Sequence, residues 1–87
     1  MESREARLKR MRMRSWRRGT KEMDLVLGPF ADAELEAMGE AELDLYDRLL
    51  TENDQDLLPM VLGQRPAPEG LEALMARIAA FARARLA

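Results

Sequence analysis

The chain has 87 residues and a mass of 9.9 kDa, which is the size of one small domain. Apolar residues make up 47 % and charged residues 34 %, which is the composition of a folded chain. Cysteine and histidine are absent, which excludes disulfides, Cys/His zinc sites, thiolate nucleophiles and a serine triad. Because so small a domain encloses a substrate poorly, we expect a binding or helper protein with no catalytic residues. No apolar run reaches the roughly 18 residues of a membrane span, so we expect no membrane insertion.

Charge is distributed unevenly along the chain, although the net charge is only −2. Residues 1–21 carry nine basic and two acidic side chains, whereas residues 22–76 carry fourteen acidic and two basic ones. Three further arginines lie in residues 77–87. This segregation predicts a polarised surface, and it favours docking of the basic segment on an acidic partner.

Helix-forming residues dominate and strand signals are nearly absent, which predicts an all-α fold. We expect one domain over residues 1–87, a compact five-helix bundle with a core of about 4–82 and less ordered ends. The predicted helices cover 3–16, a segment starting near Thr20, 40–51, 57–62 and 68–85. Gly28-Pro29 should kink or end the second helix, because proline cannot donate the helical hydrogen bond.

Apolar residues recur at helical spacing and predict the buried face of each helix. The predicted core comprises Leu8, Met11, Trp16, Met23, Val26, Leu27, Phe30, Leu35, Met38, Leu43, Tyr46, Leu49, Leu50, Leu71, Leu74, Met75, Ile78 and Ala82, and Ser15 shares the face of Leu8 and Met11. We expect the Tyr46 hydroxyl at the edge of this core. Asp47 and Arg48 are interpreted as an intramolecular pair on the helix surface.

Polar residues and prolines between these stripes predict the helix ends. Gly39 is the expected cap of the third helix, and Asp56 that of the fourth, which would make Pro59 tolerable. Pro68 is expected in the first turn of the fifth helix. The acidic residues Asp54 and Asp56 lack the spacing of a calcium loop, so they are interpreted as caps and not as metal ligands.

The segment Arg17-Arg18-Gly19-Thr20-Lys21-Glu22-Met23-Asp24 joins a basic helix to the start of the next one. One interpretation is structural: Gly19 is the N-cap, and Glu22 completes a capping box. The other is functional: Gly19 lets the backbone of a partner approach closely, while Arg18 and Glu22 face outward as a charged pair.

Arg-Arg-Gly-x-x-Glu-x-Asp resembles the signature of the SdhE family, the assembly factors that promote flavinylation of succinate dehydrogenase. Further likenesses lie in Leu45–Leu50, in the acidic turn Asn53–Leu57 and in Pro66–Glu69, so the resemblance covers about residues 4–82. One departure is Leu58-Pro59-Met60-Val61, where the family usually has aromatic residues.

The resemblance implies a five-helix bundle that binds the flavoprotein subunit of succinate dehydrogenase, and often that of fumarate reductase. It implies an assembly factor that assists covalent attachment of FAD to a histidine of the partner. We expect the chain itself to be a monomer. FAD is then held by the partner, and this chain binds no cofactor tightly. The resemblance carries partner binding onto Arg18, Gly19 and Glu22, with Arg17 and Asp24 as matching neighbours.

Two alternatives come from the charge pattern. One is a nucleic-acid-binding or antitoxin-like regulator that uses the basic N-terminal helix, although we expect no nucleic-acid partner. The other is an interaction module that docks through the acidic face around Glu34–Asp47. The lack of an apolar stretch after the basic N-terminal segment speaks against a signal peptide, and we expect a bacterial cytoplasmic protein.

Overall fold

The computed structural model describes residues 1–86, and all the regular secondary structure in them is helical. The helices are α1 (Arg4–Trp16), α2 (Lys21–Glu34), α3 (Glu40–Leu49), α4 (Asp54–Val61) and α5 (Glu72–Leu86), with a 3₁₀ turn at Leu35–Ala37. This confirms the predicted all-α, five-helix fold in a single small domain. Of the predicted less ordered tail, Ala87 lies outside the described residues, whereas α5 continues past residue 82. No helix in the described part is long and apolar enough to cross a membrane.

Helix α2 is the centre of the bundle and packs against α1, α4 and α5. Its Phe30 is fully buried. The Phe30 ring stacks on Tyr46 of α3 at a centroid distance of 5.9 Å and meets the edge of Phe81 of α5 at 5.7 Å. Aromatic pairs in these geometries stabilise beyond the area that they bury. The predicted core is confirmed except at Val26 and Ala82, which are only partly buried, and at Trp16, which is exposed, while Ser15 on the same helix is buried.

The Tyr46 hydroxyl lies inside the core, so the prediction that it sits at the edge was wrong. It lies 2.7 Å from Ser15 Oγ of α1, and Ser15 Oγ lies 2.8 Å from the Met11 carbonyl oxygen. Because Ser15 donates its one hydroxyl hydrogen to the Met11 carbonyl, the Tyr46 hydroxyl is the donor and Ser15 Oγ the acceptor in the bond between them. Burial raises the pKa of Tyr46 to about 12.

Helix α2 continues through Gly28 and Pro29, so the proline does not end it. Pro29 has no N–H, which leaves the Leu25 carbonyl without its helical donor. Arg85 of α5 supplies the missing bond, since its Nη1 donates to the Leu25 oxygen at 3.3 Å. A side chain sixty positions away thus replaces one main-chain donor.

The indole ring of Trp16, at the end of α1, packs directly against Gly28 of α2. A Cβ atom at position 28 would overlap the indole ring. The ring is 39 % exposed, and its Nε1 donates to Asp32 Oδ2 at 3.1 Å. The absent side chain therefore lets α1 and α2 pack closely at this point.

The predicted starts of the last two helices were wrong. Asn53 precedes α4 as its N-cap, so Asp56 lies inside the helix, where it forms an ion pair with Arg65. Pro68 stands outside α5, because Gly70 has a φ of +89°, a value that helical residues do not adopt. The predicted cap Gly39 is confirmed as the N-cap of α3.

Candidate partner-binding site

The signature segment forms the corner between α1 and α2. Gly19 is exposed at this corner and has a φ of +105°, a conformation that side chains of L-residues rarely adopt. Apart from Gly19 and its two chain neighbours, no atom of the described residues lies within 4 Å of the position that a Cβ would occupy. The corner therefore presents bare main chain to solvent, which is what close approach by a partner requires.

Thr20 and not Gly19 is the N-cap of α2, so the predicted capping box is wrong. The Thr20 side chain accepts a hydrogen bond from the Met23 N–H at 3.3 Å. Glu22 consequently occupies the second helical position, one residue short of the capping-box position. It is exposed in the first turn, where a carboxylate suits the positive end of the helix dipole.

The Arg18 side chain points inward, contrary to the expected outward pair with Glu22. Its Nε lies 2.8 Å from Asp54 Oδ1, its Nη1 donates to the Leu50 carbonyl at 2.7 Å and its Nη2 to the Glu52 carbonyl at 2.5 Å. The side chains of Arg18 and Asp54 are only 9 % and 14 % exposed. Arg18 thus fastens the α1–α2 corner to the turn between α3 and α4.

Asp24 holds the same corner from the other side. Its Oδ1 accepts a hydrogen bond from the Arg18 main-chain N–H at 2.6 Å, and its own N–H donates to the Thr20 carbonyl at 3.0 Å. The five predicted site residues therefore divide into two groups. One group, Arg17, Gly19 and Glu22, is exposed. The other, Arg18 and Asp24, is partly buried and fixes the conformation of the corner that carries the exposed group.

Glu22 also borders two surface grooves that sequence reasoning missed. One lies against the start of α4 and includes Pro59, and the other runs between α2, α4 and α5. Leu25 and Leu62 line the second groove and are 49 % and 60 % exposed. One signal was available in the sequence, since Leu25 lies outside the apolar stripe that predicted the buried face of its helix.

The basic face of α1 is neutralised within the molecule. Arg7 lies 3.0 Å from Glu40 and 2.6 Å from Asp44, and Arg10 lies 3.0 Å from Asp47. These contacts hold the pKa of Asp47 below its ordinary value, chiefly through the hydrogen bond from Arg10. The predicted Asp47–Arg48 pair is not the one that forms: Arg48 instead donates to the Glu69 carbonyl at 2.6 Å.

The remaining acidic side chains around Glu34–Asp47 are engaged in the same way. Arg77 of α5 lies 3.1 Å from Glu34 and 2.8 Å from Glu42, and Arg12 lies 3.7 Å from Glu36. The acidic partner expected for the basic segment is thus largely the chain itself. Both alternatives drawn from charge, nucleic-acid binding and docking through the acidic face, lose much of the free charge on which they depended.

The fold is thus a small helical bundle that displays an exposed corner beside apolar grooves. The sequence matches the family described as "Flavinator of succinate dehydrogenase" over residues 9–82. The chain belongs to this family, and the resemblance to the SdhE family is confirmed.

Similar proteins occur in fungi and bacteria. The chain is 42 % identical, over 77 % of its length and 28 % of the relative's, to "Succinate dehydrogenase assembly factor 2, mitochondrial" of Mycosarcoma maydis. It is 41 % identical, over 78 % of its length and 49 % of the relative's, to the protein of that name in Schizosaccharomyces pombe. Against "FAD assembly factor SdhE" of Legionella pneumophila the identity is 42 %, over 64 % of this chain and 72 % of the relative.

The chain thus spans less than half the length of these two fungal relatives and most of the bacterial one. The relatives are named assembly factors, which agrees with the expectation of a helper protein. No solved structure gives a significant match.

Proposed function

We propose that this chain binds the flavoprotein subunit of succinate dehydrogenase and promotes covalent attachment of FAD to that subunit. The observation that carries the proposal is the corner formed by Gly19 and Glu22, exposed yet held rigidly by Arg18 and Asp24. Membership of the flavinator family supports succinate dehydrogenase as the client. FAD stays with the client, and the chain acts as a monomer without a tightly bound cofactor.

The contribution of this chain is geometric. The acceptor histidine belongs to the client in this proposal, which agrees with the lack of histidine in this sequence. Holding two reacting groups at attacking distance lowers a barrier by several kcal/mol without any acid–base group from the helper. Bare main chain at Gly19 allows close contact with the client, and the Glu22 carboxylate accepts a hydrogen bond from it. Arg17, which is exposed, takes the role first expected of Arg18 and pairs with a client carboxylate.

The first test measures covalent flavin on the denatured flavoprotein subunit by in-gel fluorescence, with and without this chain. We expect the wild type to increase the signal and Glu22→Ala to increase it less. Glu5→Ala is the matched control, because Glu5 is also an exposed carboxylate in the first turn of its helix. An unchanged signal with wild-type chain that binds the client would contradict the proposal. The flavoprotein of fumarate reductase, which we propose as a second client, is assayed in the same way.

Gly19 is tested with a pair of variants that share the same backbone strain. At a φ of +105° any side chain is strained, at a cost of about 1–3 kcal/mol. Comparing Gly19→Ala with Gly19→Arg therefore isolates the effect of a protruding side chain. We expect the arginine variant to lose binding to the client and the alanine variant to retain most of it. Equal binding by both folded variants would argue against close approach at this corner.

A further inference from the structure

The groove between α2, α4 and α5 is lined mostly by aliphatic side chains. Its floor is formed by Val26, Leu58 and Val61, which join the core, and its walls by the exposed side chains of Leu25 and Leu62. A monomeric protein usually scatters its exposed large apolar side chains, whereas these two face one groove. The aliphatic lining favours an apolar occupant over a polar ligand.

The Leu62 side chain borders three surface grooves. These are the groove just described, the groove at the start of α4 that includes Pro59, and a third one between α4 and α5 that includes Met75. The residue follows the last turn of α4, where its N–H donates to the Leu58 carbonyl at 3.0 Å. Gly63, with a φ of +76°, then turns the chain away. A leucine that is 60 % exposed is thus held in a fixed position.

Opposite charges lie on the two sides of this groove. Arg83 and Arg85 of α5 line one side, and Glu22 of α2 lies on the other. The Arg85 guanidinium is held there by the Leu25 carbonyl that Pro29 leaves without a donor. Within residues 1–86 neither arginine forms an ion pair. The α5 side therefore offers positive charge that no acidic side chain among residues 1–86 neutralises.

We propose that this groove binds an aliphatic segment of the client flavoprotein that directs at least one acidic side chain toward Arg83 and Arg85. The inference rests on the proposed function and names a second contact with the same client. An acidic group is required because a wholly apolar segment would desolvate two cations without a partner. The groove reaches Glu22, so one client surface covers both the groove and the Gly19 corner.

The binding test uses purified flavoprotein subunit and measures Kd for single variants of the chain. Leu62→Ser should weaken binding about tenfold, because it removes an exposed apolar side chain that the client covers. Arg83→Glu should weaken it by at least as much and reduce its dependence on salt. Met13→Ser and Lys9→Glu are the matched controls, since both residues are exposed on α1 away from the groove, and we expect no change.

A photo-crosslinking amino acid in place of Leu62 identifies the occupant directly. We expect a crosslink to an aliphatic, acid-containing segment of the client, located by mass spectrometry. Crosslinking to a second copy of this chain, with a matching change in its measured mass in solution, would overturn the proposal. So would unchanged Kd values for the groove variants while Glu22→Ala weakens binding, a result that leaves the proposed function intact. Absence of any binding by the wild type would instead refute both.

Discussion

Removal of the Arg18 guanidinium is the sharpest test of how the site is built. Arg18→Ala deletes one ion pair and two hydrogen bonds to main-chain carbonyls. It leaves the Asp54 carboxylate, only 14 % exposed, without its counterion. The α1–α2 corner then loses its attachment to the turn between α3 and α4, so we expect lower stability of the whole domain.

The expected loss is large relative to the stability of a small domain. Removing one member of a fully buried ion pair costs about 3–5 kcal/mol, since the remaining charge stays desolvated. The side chains of Arg18 and Asp54 keep 9 % and 14 % of their surface exposed, so we expect a loss at the lower end of this range, about 3 kcal/mol. Whole domains are stable by about 5–15 kcal/mol, and small ones lie toward the lower end. A loss of 3 kcal/mol corresponds to a fall in Tm of roughly 12 °C or more for a chain of this length.

Thermal and urea unfolding, followed by circular dichroism, measure this loss. Arg17→Ala is the control, because Arg17 is exposed and its removal should change stability by less than about 0.5 kcal/mol. Combining Arg18→Ala with Asp54→Ala completes a double-mutant cycle, in which we expect a coupling energy above about 1 kcal/mol. An Arg18→Ala protein within 1 kcal/mol of the wild type would refute the argument that this side chain fastens the corner.

Three further predictions concern packing and titration. Gly28→Ala should destabilise the fold by about 1–3 kcal/mol and alter the fluorescence of Trp16, the one tryptophan, because the added methyl group displaces its ring; an unchanged emission maximum and Tm would contradict this packing. Tyr46, the one tyrosine, should titrate in the folded state near pH 12 by ultraviolet absorbance. Because its pKa is raised above the ordinary value of 10.0, its contribution to stability is complete below pH 10 and is lost as the pH rises toward 12, whereas a folded protein titrating at pH 10 would disprove its burial. The pKa of Asp47 is lowered by Arg10, so this carboxylate stabilises the fold above its ordinary pKa of 3.8 and loses this effect as the pH falls below that value. Asp47→Asn should therefore reduce the fall in stability at acidic pH. An unchanged fall would count against the pairing of Arg10 with Asp47.

The fold could be predicted from the sequence because its signals are local. The stripe Met23, Leu27 and Phe30 repeats at helical spacing, and the structure buries all three. Two helix starts were missed because they depend on details that spacing does not encode. The positive φ of Gly70 delays α5, and the choice of Asn53 over Asp56 as cap moves α4.

The candidate site was only partly predictable, because its geometry depends on contacts between distant parts of the chain. Arg18 meets Asp54 across 36 positions, and no local pattern indicates that the arginine turns inward. The pairing of Arg10 with Asp47 is likewise invisible to a count of charges by segment. Gly19 was singled out correctly as unusual, yet its φ of +105° belongs to a corner beside the cap and not to the cap itself.

Internal pairing between the basic face of α1 and the acidic face of α3 has a kinetic consequence. Opposite charges a few ångströms apart cancel at a distance, and the whole chain carries a net charge of only −2. This face of the molecule therefore projects little field beyond its own surface. We expect it to add little long-range steering to the encounter with a client, so that charge reversals on this face leave the association rate constant almost unchanged. Selection among possible clients then takes place after contact, in the lifetime of the complex.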